Sequence, residues 1–210
     1  MHADAQTIAR NAEIVKNTKG TDGVLVVRDD GNIRHVQSGL VCPAKFPNVA
    51  FWHAELFDSP LGQGMDVGCD YGRNGADGEP VSKLTIFATK SPEGLTLDQA
   101  FAHDRGELLS AMPGATSLGE WLEVKDDQTS PPPEIRSEEF MVRLDGRLRT
   151  SQLLVAVKNG WILEIRATFE GEPTHIVIPK GGTAQDGVLA AGDRFMAAIA
   201  YTLTGSDLGK

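Results

Sequence analysis

The chain predicts an α+β fold: an antiparallel β-sheet flanked by helices on both faces, an α/β/α sandwich. Three observations carry that expectation. Hairpin signals recur, above all Asn159-Gly160 between two apolar runs, and hairpins make antiparallel pairs. Leu153-Leu154-Val155-Ala156-Val157 is apolar without alternation, the pattern of a central strand covered on both sides. Helical periodicity opens, divides and closes the chain, so helices are available for both faces.

The elements follow in order. Over Asp4 to Thr18, Ala5, Ile8, Ala12 and Val15 recur at steps of three and four, which places one apolar stripe on a helix. Val24 to Val27 and a second run through Val36, separated by Asp29-Asp30-Gly31-Asn32, form a hairpin. Phe51 to Phe57 alternates, with Trp52, Ala54 and Leu56 on one side and His53 and Glu55 on the other. Met65, Val67, Cys69 and Tyr71 alternate against polar residues and glycines, a half-buried strand. Leu84, Ile86 and Ala88 make another. Thr96 and Gln99 form a capping box at the start of a second helix, which Pro113-Gly114 ends. A strand over 121–124 precedes the Pro131-Pro132-Pro133 loop. Phe140 to Leu144 turns back through Asp145 to Arg147, a three-residue loop that pairs Leu144 with Leu148 and Arg143 with Arg149. Trp161, Leu163, Ile165, Ala167 and Phe169 share one face of the strand after Asn159-Gly160, and Thr183 to Leu203 is the closing helix. The strands before and after the proline loop need one another, so residues 1–210 read as a single domain.

Net charge is -9. That excess of acid argues against nucleic acid, whose binding depends on Lys and Arg displacing counterions from phosphates, and against anionic membrane surfaces. No apolar run approaches the roughly 20 residues that span a bilayer, so the chain reads as soluble. Ala3-Asp4-Ala5 has the small-residue pattern found beside a signal cleavage site, which points to a periplasmic or secreted protein; the alternative is a cytoplasmic chain whose alanines favour helix. Cys42 and Cys69 permit one bridge, worth about 3.5 kcal/mol in loop entropy. Two buried free thiols are the other reading.

Trp161-x-Leu-x-Ile-x-Ala167, with the strands before it and the helical segment Phe195 to Leu203 after it, resembles the C-terminal half of PsbP-like α/β/α sandwich domains. The resemblance spans about the last third of the chain. It implies an accessory or binding role rather than catalysis, and carries no functional residue across.

Several polar constellations remain. His53 and Glu55 share a strand face and are candidates to ligate an ion or a ligand, although further ligands are not identifiable and a solvated face is the preferred reading. Asp70, Asn74, Asp77 and Glu79 crowd oxygens around glycines as a calcium loop does, but Val81 stands where its bidentate Glu belongs. His103-Asp104 has the core of a metal phosphohydrolase motif without its supporting histidines, so an exposed helix face is preferred. Arg143 and Arg149, neighbours in the chosen register, are candidates to greet an anion. No nucleophile motif is present, and no cofactor is predicted. The expected function is a non-enzymatic exported binding or accessory domain with an unidentified protein or small-molecule ligand. The alternative is an enzyme whose site is assembled from scattered residues such as His35, His53 and Arg149.

Overall fold

Two helix starts are written into local chemistry. Asp4 accepts the amide of Thr7 at 2.7 Å and opens α1, Ala5–Asn17; Thr96 and Gln99 close a full capping box at α2, Leu97–Ala111. The structure, a computed structural model, describes residues 4–44, 49–75, 78, 80–124, 135–170 and 176–178. Its strands are β1 (Leu25–Val27), β2 (Ile33–His35), β3 (Val41–Cys42), β4 (Ala50–Leu56), β5 (Asp66–Asn74) and β6 (Pro80–Lys90). After α2 come β7 (Thr116–Gly119), β8 (Leu122–Val124), β9 (Ile135–Leu144), β10 (Arg147–Lys158), β11 (Trp161–Phe169) and β12 (Ile176–Ile178).

These strands form a seven-stranded antiparallel sheet in the order β4-β5-β6-β11-β10-β9-β7 and a three-stranded sheet β1-β2-β3. A parallel pair joins β8 to β12. The union of the two halves of the large sheet is the β6–β11 ladder, running from Ser82 opposite Phe169 to Lys90 opposite Trp161. It pairs residues some eighty positions apart, so nothing local in the sequence specifies it.

The expected α/β/α sandwich is not what forms. Among the described residues the chain is mostly β, with two helices, and helices do not cover both faces of the sheet. The apolar run in β10 is buried on both sides, but by different materials. Leu153 and Val155 pack with Ala100, Phe101 and Leu108 of α2. Leu154 and Ala156 join a larger cluster with Leu25, Ile33 and Cys42 of the small sheet and Trp121. A run buried on both faces shows that cover exists without showing whether it is helix or sheet. The closing helix expected over 183–203, on which the PsbP-like resemblance also leans, lies outside the described residues, as does the proline loop.

Cys42 and Cys69 are joined, Cα to Cα 6.3 Å. The bond ties β3 of the small sheet to β5 of the large one. Asn11 adds a polar tie, donating to the carbonyls of Gly31 and Ala44 at 3.3 and 3.1 Å.

The register at the β9–β10 turn also differs from expectation. Leu144 pairs with Arg147 around a two-residue loop, in which Asp145 and Gly146 both have positive φ, 50° and 77°. That is the primed turn whose twist suits a hairpin. Asn159-Gly160 makes the same turn, as expected, at 52° and 73°. Hydrophobic matching failed as a guide at the first turn because Leu148 is exposed there and has no core to enter. Arg143 therefore faces Leu148, Arg149 faces Val142, and the two arginines lie on opposite faces of the sheet.

Candidate functional site

Strand alternation sorts the large sheet into two surfaces. Val67, Cys69, Tyr71, Leu84, Ile86, Ala88, Leu163 and Ile165 enter the core shared with the small sheet. The other surface carries His53, Glu55, Asp70, Lys83, Phe87, Glu164 and Arg166, and α2 packs on it over β9 and β10. The β4–β6 half is left open to solvent, with the side chains of His53, Glu55 and Lys83 44%, 46% and 55% exposed.

A bulge shapes the outer strand. The register shifts between Phe51 and His53, so Phe51 turns into the core while His53 and Glu55 stay on the open face. Simple alternation would have placed Phe51 beside His53. The bulge also frees Trp52, whose ring covers Gly72 so closely that a Cβ there would lie 2.1 Å from it. Phe57 and Phe87, with ring centroids 5.9 Å apart, lie over Gly68 more loosely, 3.2 and 3.4 Å from where its Cβ would be.

Three strands then bring charge together. His53 on β4 pairs with Asp70 on β5. His53 Nε2 lies 3.1 Å from Asp70 Oδ2 and 3.2 Å from Glu55 Oε1. Lys83 on β6 reaches Asp70 Oδ2 at 3.6 Å. Asp70 is buried, and its Oδ1 has no hydrogen-bond partner among the described residues.

A second cluster lies towards α2. Glu164 and Arg166 stand two apart on β11 and bond to each other; Arg166 also donates to Glu107 of α2 at 2.8 Å and stacks over Phe87. Asp104, facing the sheet from α2, is buried with an unpartnered Oδ2, so the helix face around His103 is not simply a solvated one. His103, Asp104 and Glu107 also each offer one ligand atom within 4.8 Å of the others, but the short contacts diverge: Nδ1 meets Asp104 at 3.2 Å, while Nε2 is the nitrogen that approaches Glu107, at 3.9 Å.

Burial, with Asp104 close by, pushes the Glu164 carboxyl up to about 7 despite the opposing pull of Arg166. Asp104 is raised as well, chiefly by burial. Between about 4.5 and 7 the folded chain keeps a proton that an unfolded Glu164 has released, so stability falls as pH rises through that window. Between pH 5 and pH 8 the Glu164 contribution is expected to decline by an amount on the order of 2 kcal/mol, read from urea unfolding as the difference between wild type and Glu164→Gln. A difference that stays constant across that range would count against the assignment.

The remaining sequence candidates do not converge. His35 is fully buried against Trp161, with Nδ1 2.7 Å from Ser38 Oγ, and burial lowers its pKa; it belongs to the core on the other side of the sheet from His53. Arg149 stands four strands from β4, about 19 Å at 4.8 Å per strand. It lies 3.8 Å from Glu170, which Arg147 also engages at 3.2 Å. His35, His53 and Arg149 thus assemble no common site. Asp70 and Asn74 lie on one extended strand, about 13 Å apart at 3.3 Å per residue, a span no single calcium ion bridges; Asp77 and Glu79 lie outside the described residues. What the sequence reading missed is Asp70 as the partner of His53, together with Asp104, Glu164 and Arg166. Alternation puts Asp70 opposite Cys69 and Tyr71, but only the β4–β5 register brings it to His53.

No family model matches the chain, and no curated protein matches it. Among solved structures it is similar to a Pseudomonas aeruginosa protein of unknown function. The identity is 12% and the TM-score 0.35, over 66% of this chain and 81% of that one. None of the helices described is long and apolar enough to cross a membrane.

Proposed function

We propose that the chain is a non-enzymatic, exported binding domain whose ligand sits on the β4–β6 half of the large sheet. The observation that carries this reading is the partial cover of that face. α2 packs over β9 and β10, while Trp52, Phe57 and Phe87 lie among His53, Glu55 and Lys83 on the open half. Aromatic rings are enriched on recognition surfaces relative to the rest of a protein's exterior. Export is supported by the Cys42–Cys69 bond, since disulfides persist in oxidising compartments.

Native mass spectrometry of the chain purified from its own compartment tests the reading. A bound ligand is expected, and Trp52→Ala and Lys83→Glu should each reduce its occupancy about tenfold, with circular dichroism confirming that both variants fold. A ligand-free chain, or one whose ligand survives both changes, would place the function elsewhere. One observation favours a second, catalytic reading: a carboxyl with a pKa of about 7 suits general acid–base work. Glu164 is nearly inaccessible to a substrate, however, so binding is preferred.

A further inference from the structure

We infer that His53, Glu55 and Asp70 form a site for a first-row divalent cation, zinc being the best fit. The inference stands on its own geometry and does not depend on where the domain binds its partner. One imidazole nitrogen, Nε2, faces two carboxylate oxygens at 3.1 and 3.2 Å. A single N–H can at best be shared between them as a bent three-centre bond. Ligands of one ion at 2.0–2.2 Å are separated by about 3.0 Å for adjacent octahedral positions and about 3.4 Å for tetrahedral ones, and the observed separations fall between. All three donor atoms lie within 4.8 Å of one another.

A second observation is the state of Asp70. Its side chain is 4% exposed and reaches into the cluster through Oδ2, while Oδ1 has no hydrogen-bond partner among the described residues. A buried carboxylate with an idle oxygen is costly unless something else takes up its charge. Lys83 offsets part of it from 3.6 Å. A divalent ion would engage the carboxylate directly, with water completing the shell on the exposed side of His53 and Glu55.

Donor chemistry selects the ion. Imidazole with two carboxylates favours zinc over calcium or magnesium, which take oxygen alone. Cysteine does not compete, because both cysteines of the chain are in the disulfide.

The geometry also assigns Lys83 an opposing role. Its ammonium neutralises Asp70 when no ion is bound and repels an arriving cation. Removing it should therefore tighten metal binding, whereas a lysine that merely props up the site would weaken binding when lost.

Calorimetric titration of chelator-treated full-length protein with zinc chloride tests this, with calcium chloride as a second titrant. Wild type is expected to take up one zinc per chain and to show no comparable calcium binding. His53→Ala and Glu55→Gln, both half-exposed positions whose folding is checked by circular dichroism, should each weaken zinc at least tenfold. His103→Ala should leave it unchanged, and Lys83→Met should strengthen it several-fold. Failure of wild type to bind zinc would overturn the proposal. So would zinc binding indifferent to both His53→Ala and Glu55→Gln, or a Lys83→Met variant that binds more weakly.

Discussion

Replacing Trp121 by alanine is expected to cost about 3–5 kcal/mol of folding stability, the range for deleting a large buried aromatic. Trp121 is 1% exposed and packs in the cluster that joins the small sheet to the large one. Its Nε1–H donates to the carbonyl of Leu153 at 3.1 Å, fixing the segment before β8 to the interior strand β10. Alanine would leave a cavity where the packing of two sheets converges, and rigid strands on both sides collapse poorly into it. Trp121→Phe separates the two contributions. It retains most of the apolar area, loses the hydrogen bond, and should cost roughly 1–2 kcal/mol. Urea midpoints for the three proteins give the comparison; an alanine variant within 1 kcal/mol of wild type would show that Trp121 is not an anchor.

Breaking the Cys42–Cys69 bond should cost about 3.5 kcal/mol, from the loop entropy restored to the unfolded chain over a sequence separation of 27. The loss should also be uneven. The bond connects the small sheet to β5, so hydrogen exchange in β1, β2 and β3 is expected to accelerate more than in β10 and β11, which sit deep in the large sheet. The comparison is between oxidised wild type and a Cys42→Ala, Cys69→Ala double variant. Matching urea midpoints would mean that the sheets are held by packing alone.

Where local chemistry decides structure, the sequence was readable. Asp4 and Thr96 cap the helices that their spacing predicts, and Asn159-Gly160 makes its hairpin at the stated turn. From Leu153 to Ala156 the apolar run is buried on both sides. What failed depends on long-range pairing. The β6–β11 ladder carries no local signal, and neither does the choice of a small sheet rather than a helix to cover one face. At Asp145-Gly146 the turn preference defeated hydrophobic matching, because Leu148 lies beyond the core.

The candidate site divides along the same line. His53 and Glu55 share a face by simple alternation, and that much was visible. Sequence alone groups Asp70 with Asn74, Asp77 and Glu79, because oxygen-rich neighbours follow it along the chain. Its actual partner is the residue across the strand, not the ones along it. Glu164 and Arg166 alternate with Leu163 and Ile165 along β11, and only the docking of α2 buries Glu164 and brings Arg166 to Glu107.

The most direct measurement is an anomalous difference map from crystals of the wild-type protein grown with zinc, with data collected on both sides of the zinc absorption edge. The open face with a cation site predicts one strong peak within about 2.0–2.2 Å of His53 Nε2 and of oxygens from Glu55 and Asp70. A map with no peak at His53, or with its strongest peak at His103 and Glu107 instead, would contradict it.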